Sequence, residues 1–211
     1  MKKSALFLAF AVMAALSLTA CDTENNDNSS GNISVSIVGE GAIGEKTWAG
    51  TGVTQVELSG AYDVVLIDDD SGNITLSGYQ NVLDIMEGST SGGVFSLDST
   101  KSYDSGKNLI LTVPIKNIDT ISSSGTMNLT VPDVIEKDKM AFVLEGVGNI
   151  KATNLHLVNA VIDISGVGGG EVYVTNTLDV KIDGVGEVTY FGNPKNVTKD
   201  ITITSTVKQG D

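Results

Sequence analysis

The sequence predicts an all-β protein whose strands coil into a parallel β-solenoid. Three copies of one pattern, an alternating apolar strand followed by Gly-Val-Gly, lie between residues 140 and 190. The first glycines of the copies are spaced by 166 − 146 = 20 and 184 − 166 = 18 residues. A fixed period on this scale is typical of stacked repeats, in which each copy contributes one coil. An antiparallel meander with Gly-x-Gly hairpin turns is the alternative. The solenoid is favoured because every copy has its apolar side in the same phase.

Alternation within the copies assigns inward and outward side chains, because successive residues of a strand face opposite sides. The residues predicted to face the core are Met140, Phe142, Leu144, Ala160, Ile162, Ile164, Leu178, Val180 and Ile182. Those predicted to face solvent are Glu145, Asp163, Ser165, Asp179, Lys181 and Asp183. The shared phase indicates that the strands stack in register.

Each copy needs a sharp change of direction, and glycine reaches positive φ without the steric penalty of a β-carbon. We therefore predict six structural corner glycines, which are Gly146, Gly148, Gly166, Gly168, Gly184 and Gly186. Two further glycines, Gly169 and Gly170, predict a bulge or a wider corner in the middle copy. A degenerate copy lies at Ile121–Met127, and aligning Ser123 with Gly146 gives a step of 146 − 123 = 23 residues. A phosphate-binding loop is disfavoured because no helix is predicted after these glycines and no Lys-Ser/Thr follows them.

The chain before the copies also predicts strands. Apolar or alternating runs bounded by turn residues lie at Ile33–Val38, Val53–Leu58, Tyr62–Ile67, Asn73–Leu76, Val94–Leu97 and Leu109–Val113. Only the segment 80–86 has a helical pattern, and it is short.

Residues 1–20 predict a lipoprotein signal peptide. Lys2 and Lys3 precede an apolar run over residues 4–18, which is too short to span a membrane. The run ends in Leu18-Thr-Ala-Cys21, which resembles a bacterial lipobox, so Cys21 is predicted to carry the lipid. Cys21 is also the only cysteine, so the chain cannot form an intramolecular disulfide. An ordinary cleaved signal peptide is the alternative.

Residues 21–32 predict a flexible acidic tether, and residues 33–211 predict a single solenoid domain. The expected location is the cell envelope, as an outer-membrane lipoprotein that is periplasmic or surface-exposed and reaches the membrane through its lipid anchor. Without the two signal lysines the net charge is 11 − 26 = −15, and every basic residue is lysine. Nucleic acid is a poor partner for such an acidic surface.

The sequence offers little material for catalysis, and we predict no enzyme activity, no metal and no cofactor. His156 is the only histidine, and its imidazole is predicted to face outward between Leu155 and Leu157. No second histidine or free cysteine is available for a transition-metal site or a nucleophile. No Gly-x-Ser-x-Gly motif occurs.

Three weaker candidates remain. The acidic run Asp68–Asp70 could bind Ca²⁺, but it lacks the EF-hand spacing, and a solvated turn is the simpler interpretation. The outward Asp163 and Asp179 could hydrolyse a glycosidic bond if they stood roughly 5–10 Å apart. An open charged face, however, lacks the burial that raises the pKa of an acid catalyst. The aromatic residues that could form a sugar-binding platform are Trp48, Tyr173 and Tyr190.

The glycine copies resemble those of the putative auto-transporter adhesin head GIN domain family. The matching segments are Glu145–Asn149, Ser165–Gly169, Asp183–Glu187 and the closing Tyr190–Pro194. The resemblance extends over about residues 47–210. The family's usual Gly-Ser-Gly-Asp is changed here, because valine replaces the serine in every copy, and a last copy expected after Pro194 has lost its glycines. The resemblance implies a β-helix-like bacterial surface protein, of a kind common in the Bacteroidetes, with no enzyme site and a role in adhesion.

These observations together predict a lipid-anchored cell-envelope module that binds a glycan or a surface protein. Two alternatives remain open, namely a polysaccharide-acting enzyme on the same scaffold and a purely structural envelope protein. The lack of arginine argues against a lyase, since uronate carboxylates are usually bound by bidentate arginine side chains.

Overall fold

The structure, a computed structural model, describes residues 36–211. The predicted signal peptide, Cys21 and the predicted tether lie outside the described residues. The strands are β1 (Ile37–Val38), β2 (Ile43–Ala49), β3 (Gln55–Leu58), β4 (Ala61–Ile67), β5 (Asn73–Tyr79), β6 (Met86–Ser91), β7 (Val94–Ser99), β8 (Tyr103–Asp104), β9 (Leu109–Pro114), β10 (Thr120–Ser123), β11 (Thr126–Thr130), β12 (Ile135–Leu144), β13 (Val147–Ile164), β14 (Val167–Ile182), β15 (Val185–Phe191), β16 (Asn196–Ile201) and β17 (Thr206–Gln209). A short helix, α1 (Gln80–Leu83), lies between β5 and β6. Within the described part of the chain, no helix is long and apolar enough to cross a membrane.

Most strands belong to two parallel stacks, which we call the first face and the second face of a β-solenoid. The first face has the order β7-β3-β10-β12-β13-β14-β16. The second face has the order β9-β4-β11-β13-β14-β15-β17. The long strands β13 and β14 each continue from the second face of one coil into the first face of the next. The glycine copies therefore stack in parallel, which confirms the solenoid and excludes the antiparallel meander.

The predicted alternation of inward and outward residues is confirmed. All nine residues assigned to the core are buried, and Phe142 and Ile164 are fully buried. Among the residues predicted to face solvent, Glu145, Asp179 and Asp183 are exposed. The inward side chains of both faces form one continuous apolar cluster. Burial of apolar area between the faces is therefore the main force that holds the coils together.

Antiparallel strand pairing, which the sequence pattern did not predict, covers the N-terminal end of the solenoid. Strand β5 pairs antiparallel with β9, β2 pairs antiparallel with β5, and β6 pairs antiparallel with β7. The coil of β7 and β9 follows the β3–β4 coil in sequence, yet it stacks outside that coil, beneath the antiparallel strands. This cover occupies backbone groups that would otherwise form an open sheet edge.

Positive φ, the reason predicted for the corner glycines, is wrong for the three that lie in bends, because Gly146, Gly166 and Gly184 have no positive φ. Close stacking of the coils requires glycine there instead. A β-carbon on Gly166 would lie 1.8 Å from the carbonyl oxygen of Gly146, and one on Gly184 would lie 2.0 Å from that of Gly166. Each of these carbonyls accepts a hydrogen bond from the valine amide of the next coil, such as Val167 N–H to Gly146 at 3.0 Å.

The second glycine of each pair is the second residue of a strand rather than part of the bend. It has the inward phase of its strand, and an aliphatic side chain of the first face lies close to two of the three, Leu144 near Gly168 and Ile182 near Gly186. A β-carbon on Gly168 would lie 2.1 Å from the Gly148 carbonyl oxygen and 2.7 Å from a methyl carbon of Leu144. The second glycines therefore allow close packing of the two faces beside the bend.

Two further predictions about the repeat are wrong. Gly169 and Gly170 form no bulge, since they pair in continuous register with Asn149-Ile150 on one side and Glu187-Val188 on the other. The irregularities lie farther along this pair of strands. Strand β13 has three extra residues between Ala152 and His156, and β14 has one extra residue between Val174 and Thr177.

The alignment of Ser123 with Gly146 is also wrong. Ser123 pairs with Leu144, so the glycine equivalent to Gly146 is Gly125, at a step of 146 − 125 = 21 residues. The stack of bend glycines extends back to Gly60, whose carbonyl oxygen would lie 2.0 Å from a β-carbon on Gly125. The last coil does form after Pro194, but its bend is Thr202–Ser205 and contains no glycine.

Candidate binding surface

The two carboxylates proposed as a hydrolytic pair do not lie opposite each other. Asp163 pairs in register with Lys181, and their charged atoms are 3.8 Å apart. Asp179 lies opposite Val161 and is exposed. Asp163 is therefore paired with an opposite charge on an open strand face and does not face a second carboxylate.

The acidic run Asp68–Asp70 forms a turn whose carboxylates already have partners. Asp69 accepts hydrogen bonds from the amide and the hydroxyl of Ser71, and the hydroxyl and amide bonds lower the pKa of Asp69. Asp70 forms an ion pair with Lys116. Among residues 36–211, no three histidine, cysteine, aspartate or glutamate side chains are grouped so that they could hold a metal ion.

His156 faces outward as predicted, but its ring is held in place. Its Nδ1 atom lies 2.8 Å from a carboxylate oxygen of Glu136, and its ring stacks on that of Tyr173 with centroids 4.2 Å apart. The histidine side chain is 29% exposed. Tyr173 is therefore engaged in a stack along the coils, which leaves only part of its ring for a sugar.

The other two candidate aromatic residues also pack structurally. Trp48 packs against the core and contacts Phe95 with ring centroids 5.7 Å apart. Tyr190 is partly buried against the core beneath the ammonium group of Lys199. None of the three aromatic candidates therefore presents an open, unshared ring face on the described surface.

The most distinctive exposed feature lies on the second face. The valines between the glycines, Val147, Val167 and Val185, stack in parallel register and point outward. Their exposed fractions are 53%, 52% and 52%, so each is half exposed although its neighbours along the strand face the core. We call this surface, formed by the outward residues of 147–151, 167–171 and 185–189, the valine face.

A shallow depression of about 250 Å³ lies beside the valine column. Its floor is formed by the backbone of Gly168–Gly170, because Gly169 occupies an outward position between Asn149 and Glu187 and has no side chain to fill it. Polar side chains form the rim, namely Asn149, Lys151, Glu171, Glu187 and Thr189. A small polar group could therefore contact backbone at the floor and hydrogen-bonding side chains at the rim.

Charge surrounds the valine face on two sides. Glu145 and Asp183 lie in the bends next to the valines, and both are exposed. On the far side, Glu187 forms an ion pair with Lys208 at 2.8 Å. The valine face thus combines apolar contact area with a charged border, as the contact surfaces of binding proteins commonly do. The strand phase alone would have identified these valines, because it places the middle residue of each Gly-x-Gly outward.

A second depression, of about 440 Å³, lies on the first face. Ala141 and Val161 line it, and Asp119, Lys139 and Asp179 flank it. Lys139 and Asp119 already form an ion pair at 3.0 Å. This depression crosses the irregular end of the coils and lacks the repeated column of side chains on the valine face.

These observations define the class of protein as a parallel β-solenoid domain that presents a repeated outer face. The chain belongs to the family described as "Putative auto-transporter adhesin, head GIN domain", whose model matches residues 52–144 and 138–194. No curated protein matches the sequence.

Three solved structures of bacterial proteins are similar to this chain. A putative adhesin from Bacteroides fragilis has 14% sequence identity and a TM-score of 0.52, with 82% of this chain and 100% of that chain covered. A putative adhesin from Parabacteroides merdae has 11% identity and a TM-score of 0.42, with coverages of 83% and 99%. A putative lipid binding protein from Parabacteroides distasonis has 15% identity and a TM-score of 0.39, with coverages of 84% and 100%. At such identities, the first of these shows a shared fold.

Proposed function

We propose that this protein is a lipid-anchored module of the bacterial cell envelope that binds a ligand on another surface through its valine face. Membership of an adhesin family supports a role in attachment. The observation that carries the proposal is the column of three half-exposed valines beside the Gly169 depression. Contiguous exposed apolar side chains with a polar border are a common mark of interaction sites.

The anchor is proposed to be Cys21, at the end of the lipobox-like Leu18-Thr-Ala-Cys21. A single acyl chain gives weak and reversible membrane binding, whereas multiple chains give stable attachment. A bacterial lipoprotein of the outer membrane would present the solenoid to the periplasm or to the outside of the cell. The ligand we propose is a glycan or a protein on a neighbouring surface.

Binding rather than catalysis is the proposed activity. The described carboxylates of the first face are open to solvent or paired with lysine, as Asp163 is with Lys181. A general acid that works near neutral pH usually needs burial or a neighbouring negative charge to raise its pKa. The glutamates of the valine face lie on an open rim, and Glu187 is paired with Lys208.

The test compares binding with turnover for the full-length protein in detergent micelles. The protein is applied to an array of mucin-type glycans, acidic polysaccharides and extracellular-matrix proteins, and the same polysaccharides are assayed for new reducing ends. We expect saturable binding to at least one class and no release of reducing ends. Turnover that is abolished in Asp163→Asn/Asp179→Asn would show an enzyme instead, and neither binding nor turnover would favour a structural protein.

A further inference from the structure

Within residues 36–211, no strands cover the C-terminal end of the solenoid in the way that the antiparallel strands cover its N-terminal end. Strands β16 and β17 each pair on one side only within the described chain, with β14 and β15 respectively. The end is also apolar in part, because Ile201 and Ile203 are 38% and 103% exposed. An open parallel edge of this kind can pair with another chain, most simply with a second copy of the same protein.

One charged side chain occupies an inward position in this last coil. Lys199 pairs in register with Val180, which is 2% exposed and faces the core. In that column of the first face, Lys199 therefore stands where the preceding coils place the apolar Val180 and Ile162. Its aliphatic stem covers the end of the core, and its ammonium group lies 5.6 Å from the centroid of the Tyr190 ring on the second face.

The ammonium group of Lys199 also forms a hydrogen bond with a backbone carbonyl at the edge of the sheet. It donates a hydrogen bond to the carbonyl oxygen of Val207 at 2.7 Å. The amide of Gly210 bonds the carbonyl of Tyr190, and the bonding groups of a parallel strand alternate in direction. The Val207 carbonyl therefore points away from β15, toward the open edge where an added strand would need it.

Hydroxyl groups of the last coil cover the final carbonyl in the stack of bend glycines, also at the C-terminal end of the solenoid. In the inner coils each bend carbonyl accepts from a backbone amide of the next coil, as Gly166 does from Val185 at 3.1 Å. The Gly184 carbonyl instead accepts from the hydroxyls of Thr202, Thr204 and Ser205, at 2.8, 3.1 and 3.2 Å. The side chains of the last coil thus replace backbone pairing at the bend, as Lys199 does over the core.

We propose that Lys199 closes the open end of the solenoid against a second copy of this chain and so keeps the protein monomeric. Edge pairing between two copies would bury both Lys199 ammonium groups and take away the carbonyl that each now bonds. Burying an unpaired charge is costly, and an inward-pointing charge on an edge strand is a known defence against association. Without the charge, the apolar end and the free Val207 carbonyl would be open to pairing.

The test measures the protein mass of the full chain in mild detergent by light scattering, over a hundredfold range of concentration. Wild type is expected to keep one mass, whereas Lys199→Met is expected to approach twice that mass at the highest concentration. Lys199→Arg, which keeps the charge, and Lys208→Met, which removes an outward lysine paired with Glu187, are matched controls expected to keep one mass. Lys199→Thr, which suits a strand, gives the same test if the methionine variant does not fold.

A second substitution shows whether association uses the strand edge. By the same alternation, the amide of Gln209 points away from β15, so Gln209→Pro removes an edge donor and spares the pairing with β15. Lys199→Met/Gln209→Pro should return to one mass. A folded Lys199→Met that keeps one mass, a wild type that already has twice the mass, or a double variant that still associates would each overturn the proposal.

Discussion

Gly166 lies so close to the coil below it that a β-carbon on this residue would be 1.8 Å from the carbonyl oxygen of Gly146. That oxygen accepts the Val167 amide at 3.0 Å, so the coil cannot move away without loss of the hydrogen bond. The same relationship joins Gly146 to Gly125 and Gly184 to Gly166. The bend glycines are therefore required by the spacing of stacked backbones rather than by their own torsion angles.

A single methyl group should be enough to test this relationship. We expect Gly166→Ala to lower the free energy of unfolding by about 3 kcal/mol, the upper part of the usual cost of overpacking, because the neighbour is backbone and cannot turn aside. Val167→Ser, at the adjacent half-exposed position, is the control and should cost less than about 1 kcal/mol. Urea unfolding of both variants measures the difference. Equal stabilities for the two would show that the coils are not held this closely.

At one bend of the solenoid, the order of the large and the small side chain is reversed relative to the next coil. Ser123 and Met127 occupy the positions that Leu144 and Gly148 occupy in the next coil. The small serine is buried with its hydroxyl unbonded, and the large methionine is fully buried. In this coil the large side chain therefore comes after the bend. In the following coils the large side chain comes before the bend, and a glycine comes after it.

We expect the reversal to be visible in a double-mutant cycle. Ser123→Leu should destabilise by about 1–3 kcal/mol through overpacking, and Met127→Gly by about 2–5 kcal/mol through a cavity. The double variant restores the pattern of the next coil, so its loss should be smaller than the sum of the two by at least about 1 kcal/mol. Additive losses, measured by urea unfolding, would show that the two positions do not share one space.

Tyr62 should make the protein sensitive to high pH. Burial of the Tyr62 phenol is the main cause that raises its pKa above the usual value of 10.0, and the nearby Tyr103 raises the pKa further. A raised pKa in the folded state means that the unfolded chain loses this proton first, so the stabilising contribution is present below pH 10 and is lost above it. Wild type should therefore lose stability relative to Tyr62→Phe by about 1.4 kcal/mol per pH unit above pH 10.

Unfolding curves of wild type and Tyr62→Phe between pH 8 and pH 11.5 measure this difference. Both proteins carry the same lysines, so titration of the lysines largely cancels. A constant difference in stability across the whole range would show that Tyr62 ionises as easily in the folded protein as in the unfolded chain.

The lipid anchor is tested by one substitution outside the described residues. Because a thioether-linked lipid needs the Cys21 sulfur, Cys21→Ser should move the protein from the membrane fraction to the soluble fraction of the cell. Fractionation followed by immunoblotting measures the distribution, with Ser17→Ala in the same leader as the control. A Cys21→Ser protein that stays with the membrane would show that the attachment does not depend on this residue.

The repeat could be predicted from the sequence because apolar and polar residues alternate along each of its strands. Phe142, Ile162 and Val180 are apolar at equivalent positions, and this shared phase specified both the parallel stacking and the core. The antiparallel pairing that covers the N-terminal end could not be predicted in the same way. Its pairings join residues far apart in sequence, such as Thr75 with Thr112, and no local pattern says that β9 lies outside β4.

The candidate surface was only partly predictable. The strand phase places Val147, Val167 and Val185 outward, but only the pairing in space shows that they form one column. The depression at Gly169 depends on register, and the register was misassigned because the extra residues of that region lie farther along β13 and β14 rather than beside Gly169. Lys199 had no signal in sequence, since a lysine in a final strand is common and only its pairing with Val180 shows it to be inward.

If the valine face is the contact surface of a binding module, its three valines should contribute most of the affinity for the ligand. The full-length wild type is measured by surface plasmon resonance against the glycan or protein that it binds on the array. It is compared with Val147→Ser/Val167→Ser/Val185→Ser and with Val134→Ser/Val158→Ser, whose valines are exposed elsewhere. We expect at least a tenfold loss of affinity for the triple variant, an unchanged affinity for the double variant, and native circular dichroism for both. Undiminished binding by the folded triple variant would contradict this role of the valine face.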